Sequence, residues 1–414
     1  MKTLVKTSII VIIFCISTSC RHETPKVDKK TFIDLTLSQE KILSASNSFG
    51  LDLFQDLVDS ANASENIFIS PLSVSLALTM TYNGAAGQTA IDMQKTLGYE
   101  GMSTNNINQS SKDLINSILN LDSKVVIEIA NSIWYRNTFP IKSDFLSINK
   151  DYFNAEVQPA DFNSQETVNL MNSWASNKTH DKINQIIAQI DPLAVMYLMN
   201  AIYFKGNWKY RFETKNTTKE PFHLTDGNTF STDFMVQQDT FRYLSNNLLT
   251  VVELPYGDGG FSMVIMLPQT GKTYQDLIQN LNVGNWSQWN NQMNSANIQI
   301  HLPKFKFKYE KVLNKNLARL GMGIAFDDNR ADFSGISNAS QLFISMVLHK
   351  SFVEVNEEGT EAAAVTIVGI SFTSIGNTPS YKIINVNKPF LFAIKENTAN
   401  SLLFIGLVQK PLIE

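Results

Sequence analysis

Few of the side chains capable of covalent or metal chemistry stand at a spacing that would let them act together. The histidines His22, His180, His223 and His301 show no metal-ligand spacing, and His349 sits alone in a strand-like run. Both cysteines, Cys15 and Cys20, lie near the amino terminus, so the body carries no thiol nucleophile, disulfide framework or cysteine-bound metal. Ser70-Pro71 and Ser334-Gly335 lack the setting of a nucleophile elbow. The chain therefore reads as neither an enzyme nor a cofactor protein. The chemistry it suggests is done to the chain, at the run Val353-Glu354-Val355-Asn356-Glu357-Glu358-Gly359-Thr360-Glu361-Ala362-Ala363-Ala364.

This run has mixed conformational preferences. Three alanines after an acidic pair favour a helix, but Val365, Thr366, Ile367, Val368 and Ile370 follow and favour extended chain. Two-residue periodicity decides for a strand. One face carries Thr360, Ala362, Ala364, Thr366, Val368 and Ile370, small at the leading end, and the other begins with Glu361, which belongs in water. Such a stretch can enter between parted strands, because its leading side chains do not obstruct entry and its backbone can complete a hydrogen-bond ladder. Gly359 supplies freedom at the pivot. With that ladder unmade the active fold is kinetically trapped.

The elements that must position this run follow from composition. Helical spacing is expected over Ser46 to Val58, after Pro71, over Thr89 to Leu97, Ser103 to Leu121, Thr167 to Thr179, Tyr274 to Leu281 and Val312 to Leu320. Strands are expected over Val125 to Tyr135, Ala194 to Lys205, Phe222 to Phe234, Leu249 to Tyr256, Phe261 to Pro268, Ile298 to Tyr309 and Leu342 to Val355. Phe390 to Ile394 and Leu402 to Val408 form a central hairpin. Helices early, strands late and no break between them give one mixed domain over 37–414.

The first residues are a separate object. Lys2 and Lys6 border an apolar run, Ile9 to Ile16, followed by Ser17-Thr18-Ser19-Cys20, which reads as a secretory signal over 1–19. Cys20 resembles the lipidated cysteine of a bacterial lipoprotein, with Ser17 where a leucine is usual, and 20–36 then reads as a polar tether. The expected location is secreted, at the outer membrane, facing the periplasm or the outside. With 34 basic against 38 acidic residues, the formal charge of −4 implies no nucleic-acid partner, and the membrane is reached only through the lipid. The dense run Lys304, Lys306, Lys308 and Lys311 alternates with Phe305, Phe307 and Tyr309, as a strand with one solvated face does.

Several separated segments together resemble the serpin family: Asn66 to Leu78 with Gly84 to Thr89, Asn200 to Trp208, Leu302 to Lys306, Leu320-Gly321-Met322 with Ala331 to Ile336, His349 to Thr360, and Asn387 to Phe390. The resemblance implies a mixed α+β fold, about nine helices around three β-sheets, with a five-stranded central sheet and an exposed reactive-centre loop over roughly Gly359 to Asn385. It implies a monomer that traps a serine endopeptidase as a covalent complex, the cleaved loop entering the sheet between Ala194 to Lys205 and Leu342 to Val355. Glu357, Glu358, Gly359, Thr360, Glu361, Ala362, Ala363 and Ala364 match the hinge; Ser70, Ser73, Asn200 and His349 match the polar shutter beneath the sheet; Trp208 matches the breach where the loop enters.

Seventeen residues is the usual family spacing from pivot glutamate to scissile bond, which places it at Thr373-Ser374 counted from Glu357, or at Phe372-Thr373 after a one-residue slip. The first suits an elastase-like pocket and the second a chymotrypsin-like one. With no Arg or Lys between Glu361 and Ser380, trypsin-like targets are not expected; papain-like cysteine proteases stay within range. The competing reading is a non-inhibitory binding or structural protein on the same fold.

Overall fold

The structure, a computed structural model, describes residues 34–62, 64–339, 342–360 and 381–413. The first half runs α1 (Leu37–Asp59), β1 (Ile67–Ile69), α2 (Pro71–Tyr82), α3 (Gly87–Thr96), α4 (Thr104–Leu119), β2 (Val125–Arg136), α5 (Ser143–Phe153), β3 (Glu156–Ala160), α6 (Gln165–Lys178) and β4 (Met196–Asn207). The second half is mostly strand: β5 (Thr218–His223), β6 (Thr229–Ser245), β7 (Leu249–Tyr256), β8 (Phe261–Pro268), α7 (Tyr274–Asn280), α8 (Val283–Gln292), β9 (Asn294–Pro303), β10 (Phe305–Val312), α9 (Asn314–Leu317), β11 (Leu348–Asn356), β12 (Gly359–Thr360), β13 (Lys382–Asn385), β14 (Phe390–Glu396) and β15 (Leu402–Val408).

Local chemistry sets the boundaries. Thr36 and Gln39 form a reciprocal capping box, so α1 starts at Leu37, nine residues before the apolar spacing becomes evident. Ser70 caps α2 by accepting from the Ser73 N–H, and Pro71 occupies the first turn, where its missing N–H costs nothing.

Three expectations about strands are corrected. Phe222 to Phe234 is a hairpin, turned at Gly227 (φ +85°) with the Asp226 carboxylate accepting from the Asn228 N–H. Ile298 to Tyr309 breaks at Pro303-Lys304 into strands of different sheets: proline has no N–H for the ladder, and the Lys304 N–H donates to the Asp233 carbonyl instead. The stretch 342–347 precedes β11 without joining the ladder, because the Ile344 N–H goes to the Ala325 carbonyl and the Val347 N–H to Asn314.

The sheets also differ from expectation. Among the described residues the strands pair into two sheets, not three, because the 17-residue β6 carries β5 at one end and β7 at the other and joins what would be two sheets into one of nine strands. The central sheet has six strands in the order β10-β11-β12-β4-β2-β3; the sixth is the two-residue β12, lying between five longer strands. The hairpin β14–β15 forms as expected and is wholly buried, with Phe68 of β1 stacked between Phe392 and Phe404.

Candidate functional site: the gap between two central strands

β4 and β11 share no ladder with each other among the described residues. At one end of the gap β12 fills the space: Gly359 pairs with Asn207 of β4 and Asn356 of β11, and Thr360 with Gly206 and Val355. Gly359 has φ +155°, and a Cβ there would stand 2.1 Å from the Gly206 carbonyl oxygen, so only glycine fits. Thr360 turns inward and is buried, its hydroxyl 2.5 Å from the Tyr256 phenol. Burial pushes the Tyr256 pKa well above the usual phenol value, which keeps its proton in place for that bond.

Trp208 binds this entry point from beneath. Its ring stacks on Tyr256 at 4.5 Å, its indole N–H donates to the Asn356 carbonyl at 2.9 Å, and its backbone N–H donates to the Glu358 carbonyl at 2.8 Å. The Phe212 N–H donates to the Glu357 carbonyl at 3.1 Å. The Glu357 carboxylate lies 3.0 Å from the Lys304 ammonium and accepts from the Thr217 hydroxyl at 2.8 Å. Burial alone would raise this carboxyl, but its own backbone N–H, Lys304 and Thr217 together outweigh that and hold it below the usual range. Glu358 donates its N–H to the Asn356 side chain.

Farther along the gap the strands are held by a helix. The first turn of α2 reaches both: the Ser73 hydroxyl donates to the Asn200 side chain on β4, and the Ser70 N–H donates to His349 Nε2 on β11 at 3.3 Å. The Ser70 hydroxyl meanwhile donates to the Leu403 carbonyl at 2.8 Å. Burial lowers the His349 pKa to about 4, so the ring is a neutral acceptor at neutral pH. A cavity of about 260 Å³ continues the gap, walled by Ser73, Ala77, Tyr197, Asn200, Ile344 and His349.

Ser70, Ser73, Asn200 and His349 thus come together, while Trp208 sits with Glu357 to Thr360 at the other end. Glu361 to Ala364, Phe372, Thr373, Ser374 and Cys20 lie outside the described residues. Sequence reasoning missed four participants. Asn131 accepts from the Asn200 amide at 2.7 Å and donates to the Phe153 carbonyl; Ser351 donates to the Phe68 carbonyl; Tyr256 receives Thr360; Lys304 pairs Glu357. For Asn131 a signal existed: it is a lone amide in a β-branched run.

Known proteins resemble this chain in sequence and fold. The model of the family described as "Serpin (serine protease inhibitor)" matches residues 44–411. Leukocyte elastase inhibitor A of Rattus norvegicus is 34% identical over 386 residues, covering 90% of this chain and 100% of that protein. Human Serpin B11 is 34% identical, covering 89% and 99%. The native-state crystal structure of the thermophilic serpin tengpin superposes with TM-score 0.82 at 34% identity, covering 92% of this chain and 96% of its own, whereas its latent state gives 0.77. The matches span the whole body that builds the gap, and the chain belongs to the serpin family, whose members are not enzymes.

Proposed function

We propose that this chain is a suicide-substrate inhibitor of serine endopeptidases with elastase-like or chymotrypsin-like pockets. The observation that carries the reading is the seat of Gly359 and Thr360, laddered on both sides at the mouth of a gap whose flanking strands, among the described residues, share no ladder with each other. A protease serine attacks the Thr373 or Phe372 carbonyl, the following peptide bond breaks, and the new carboxyl remains esterified to the enzyme. The released strand continues from Thr360 into the gap, satisfying backbone groups on β4 and β11 as it goes. The tethered protease is carried along, and its triad is distorted before water completes hydrolysis. Glu357 stays anchored to Lys304 and Thr217 and marks where insertion begins.

The 34% identity to a protein named leukocyte elastase inhibitor supports the elastase-like class, as do small residues at the expected bond. Papain-like enzymes form a secondary target class. We further propose that Cys20 anchors a secreted monomer to the outer membrane; among the described residues no helix is long and apolar enough to cross a membrane.

Incubation with neutrophil or pancreatic elastase tests the reading. The expected product is a complex that survives denaturing electrophoresis, with a peptide starting at Ser374 or Thr373 released on unfolding and identified by mass spectrometry. Complete cleavage with no complex would instead favour a non-inhibitory binding protein; the 26%-identical thyroxine-binding globulin, crystallised with thyroxine, is a relative of that kind by its ligand.

A further inference from the structure

We propose that the segment Pro411-Leu412-Ile413 is a clip that steadies the hinge from outside the sheet, acting through Lys304 and Lys306. β10 is an edge strand: β11 covers one side, and no described strand extends the ladder on the other. On that open side the Lys306 N–H donates to the Leu412 carbonyl at 2.7 Å, and Ile413 forms a parallel bridge with Lys306. The start of the segment is staked down by Asn66, whose side-chain oxygen accepts from the Gln409 and Lys410 N–H groups and whose amide donates to the Lys410 carbonyl. The segment is therefore fixed at one end and laid across the first residues of β10 at the other.

Its position bears on the hinge directly. Ile413 walls a cleft of about 310 Å³ whose other lining includes Lys304, Lys306, Glu354, Glu357 and Glu358. Two ion pairs meet there, Lys304 with Glu357 at 3.0 Å and Lys306 with Glu354 at 3.6 Å. An apolar side chain at the mouth of such a cleft displaces water and strengthens both pairs. The backbone bond at Lys306 fixes the start of β10, which carries Lys306 and is directly preceded by Lys304, and Glu357 lies two residues before Gly359. Releasing the segment frees Lys304, then Glu357, and then the hydrogen bonds that Trp208 and Phe212 donate to 357–358.

The consequence for trapping rests on the proposed function; the clip itself does not, so its test uses no protease. Hydrogen exchange is measured on the full chain, on a chain ending at Lys410, and on Ile413→Ala, each with Lys304 intact and with Lys304→Met. With Lys304 intact, truncation is expected to speed exchange at the Trp208 and Phe212 amides about tenfold, and Ile413→Ala to act in the same direction by less, the scale of one charge-assisted hydrogen bond. With Lys304→Met these amides already exchange fast, and neither change adds to it. Unaltered exchange in the Lys304-bearing variants, or equal acceleration in both backgrounds, would overturn the clip. If the truncated chain does not fold, Ile413→Ala carries the same comparison. Loss of elastase complexes with the exchange pattern intact would count against the inhibitor reading alone.

Discussion

The two ends of the gap between β4 and β11 are held by different means. At the breach, backbone meets backbone: β12 is laddered on both sides, Tyr256 holds Thr360, and the Trp208 indole and the Lys304–Glu357 pair hold the residues just before it. At the shutter the link is indirect: each strand is bonded to its own serine at the start of α2, and among the described residues neither is laddered to the other. A ladder is cooperative and directional, so it can grow from the breach one residue pair at a time. The shutter presents only a few single bonds to helix α2, which a growing strand need not break all at once. Under the proposed insertion, initiation falls to the first end and resistance to the second.

The largest expected effect comes from spoiling initiation. Thr360→Arg would place a charge against Tyr256 in a buried site, at a cost of several kcal/mol. The variant should be cleaved by elastase with on the order of tenfold fewer complexes per cleavage. Unchanged stoichiometry on gels would show that this face does not enter.

The shutter gives a pH effect of intermediate size. His349 titrates near its ordinary 6.5 when unfolded and about 4 when folded, so the unfolded state binds the proton first. The neutral ring's contribution is complete above pH 6.5 and is lost as pH falls towards 4, about 3 kcal/mol in all. Urea midpoints should therefore fall through that window, and His349→Gln should flatten the slope. The same slope in both proteins would remove His349 from the account.

The smallest effect separates packing from hydrogen bonding at the breach. Trp208→Phe keeps an aromatic ring against Tyr256 but loses the indole bond to the Asn356 carbonyl, at about 1–2 kcal/mol. Calorimetry should show that loss. A neutral substitution would mean that Trp208 is core filler only.

Much of this was legible in the sequence, for reasons that differ by element. Val125 to Tyr135 and Ala194 to Lys205 announced strands because β-branched and aromatic residues suit a pleated, half-buried surface. Ser70 and Ser73 were reached through the family resemblance, while the helix start at Pro71 was legible from local capping chemistry. Ser351 and Lys304 were not found, because their partners stand 283 and 53 positions away and nothing local marks such a pairing; Asn131, the lone amide of its β-branched run, carried a local sign of a polar role but none of its partner. The break at Pro303 was readable from proline chemistry, yet the alternation across it concealed a change of sheet.

The sequence by itself determined the composition of an insertable strand: small residues on one face from Thr360, a glycine where the backbone must turn, and β-branched residues behind them. Those are properties of single side chains and their order. Only the tertiary structure decided that β4 and β11 stand apart, that Gly359 and Thr360 already occupy the mouth of the gap, and that Lys304 holds Glu357 beside it. Strand pairing is a relation between distant segments, and its energy exists only when both edges are brought together.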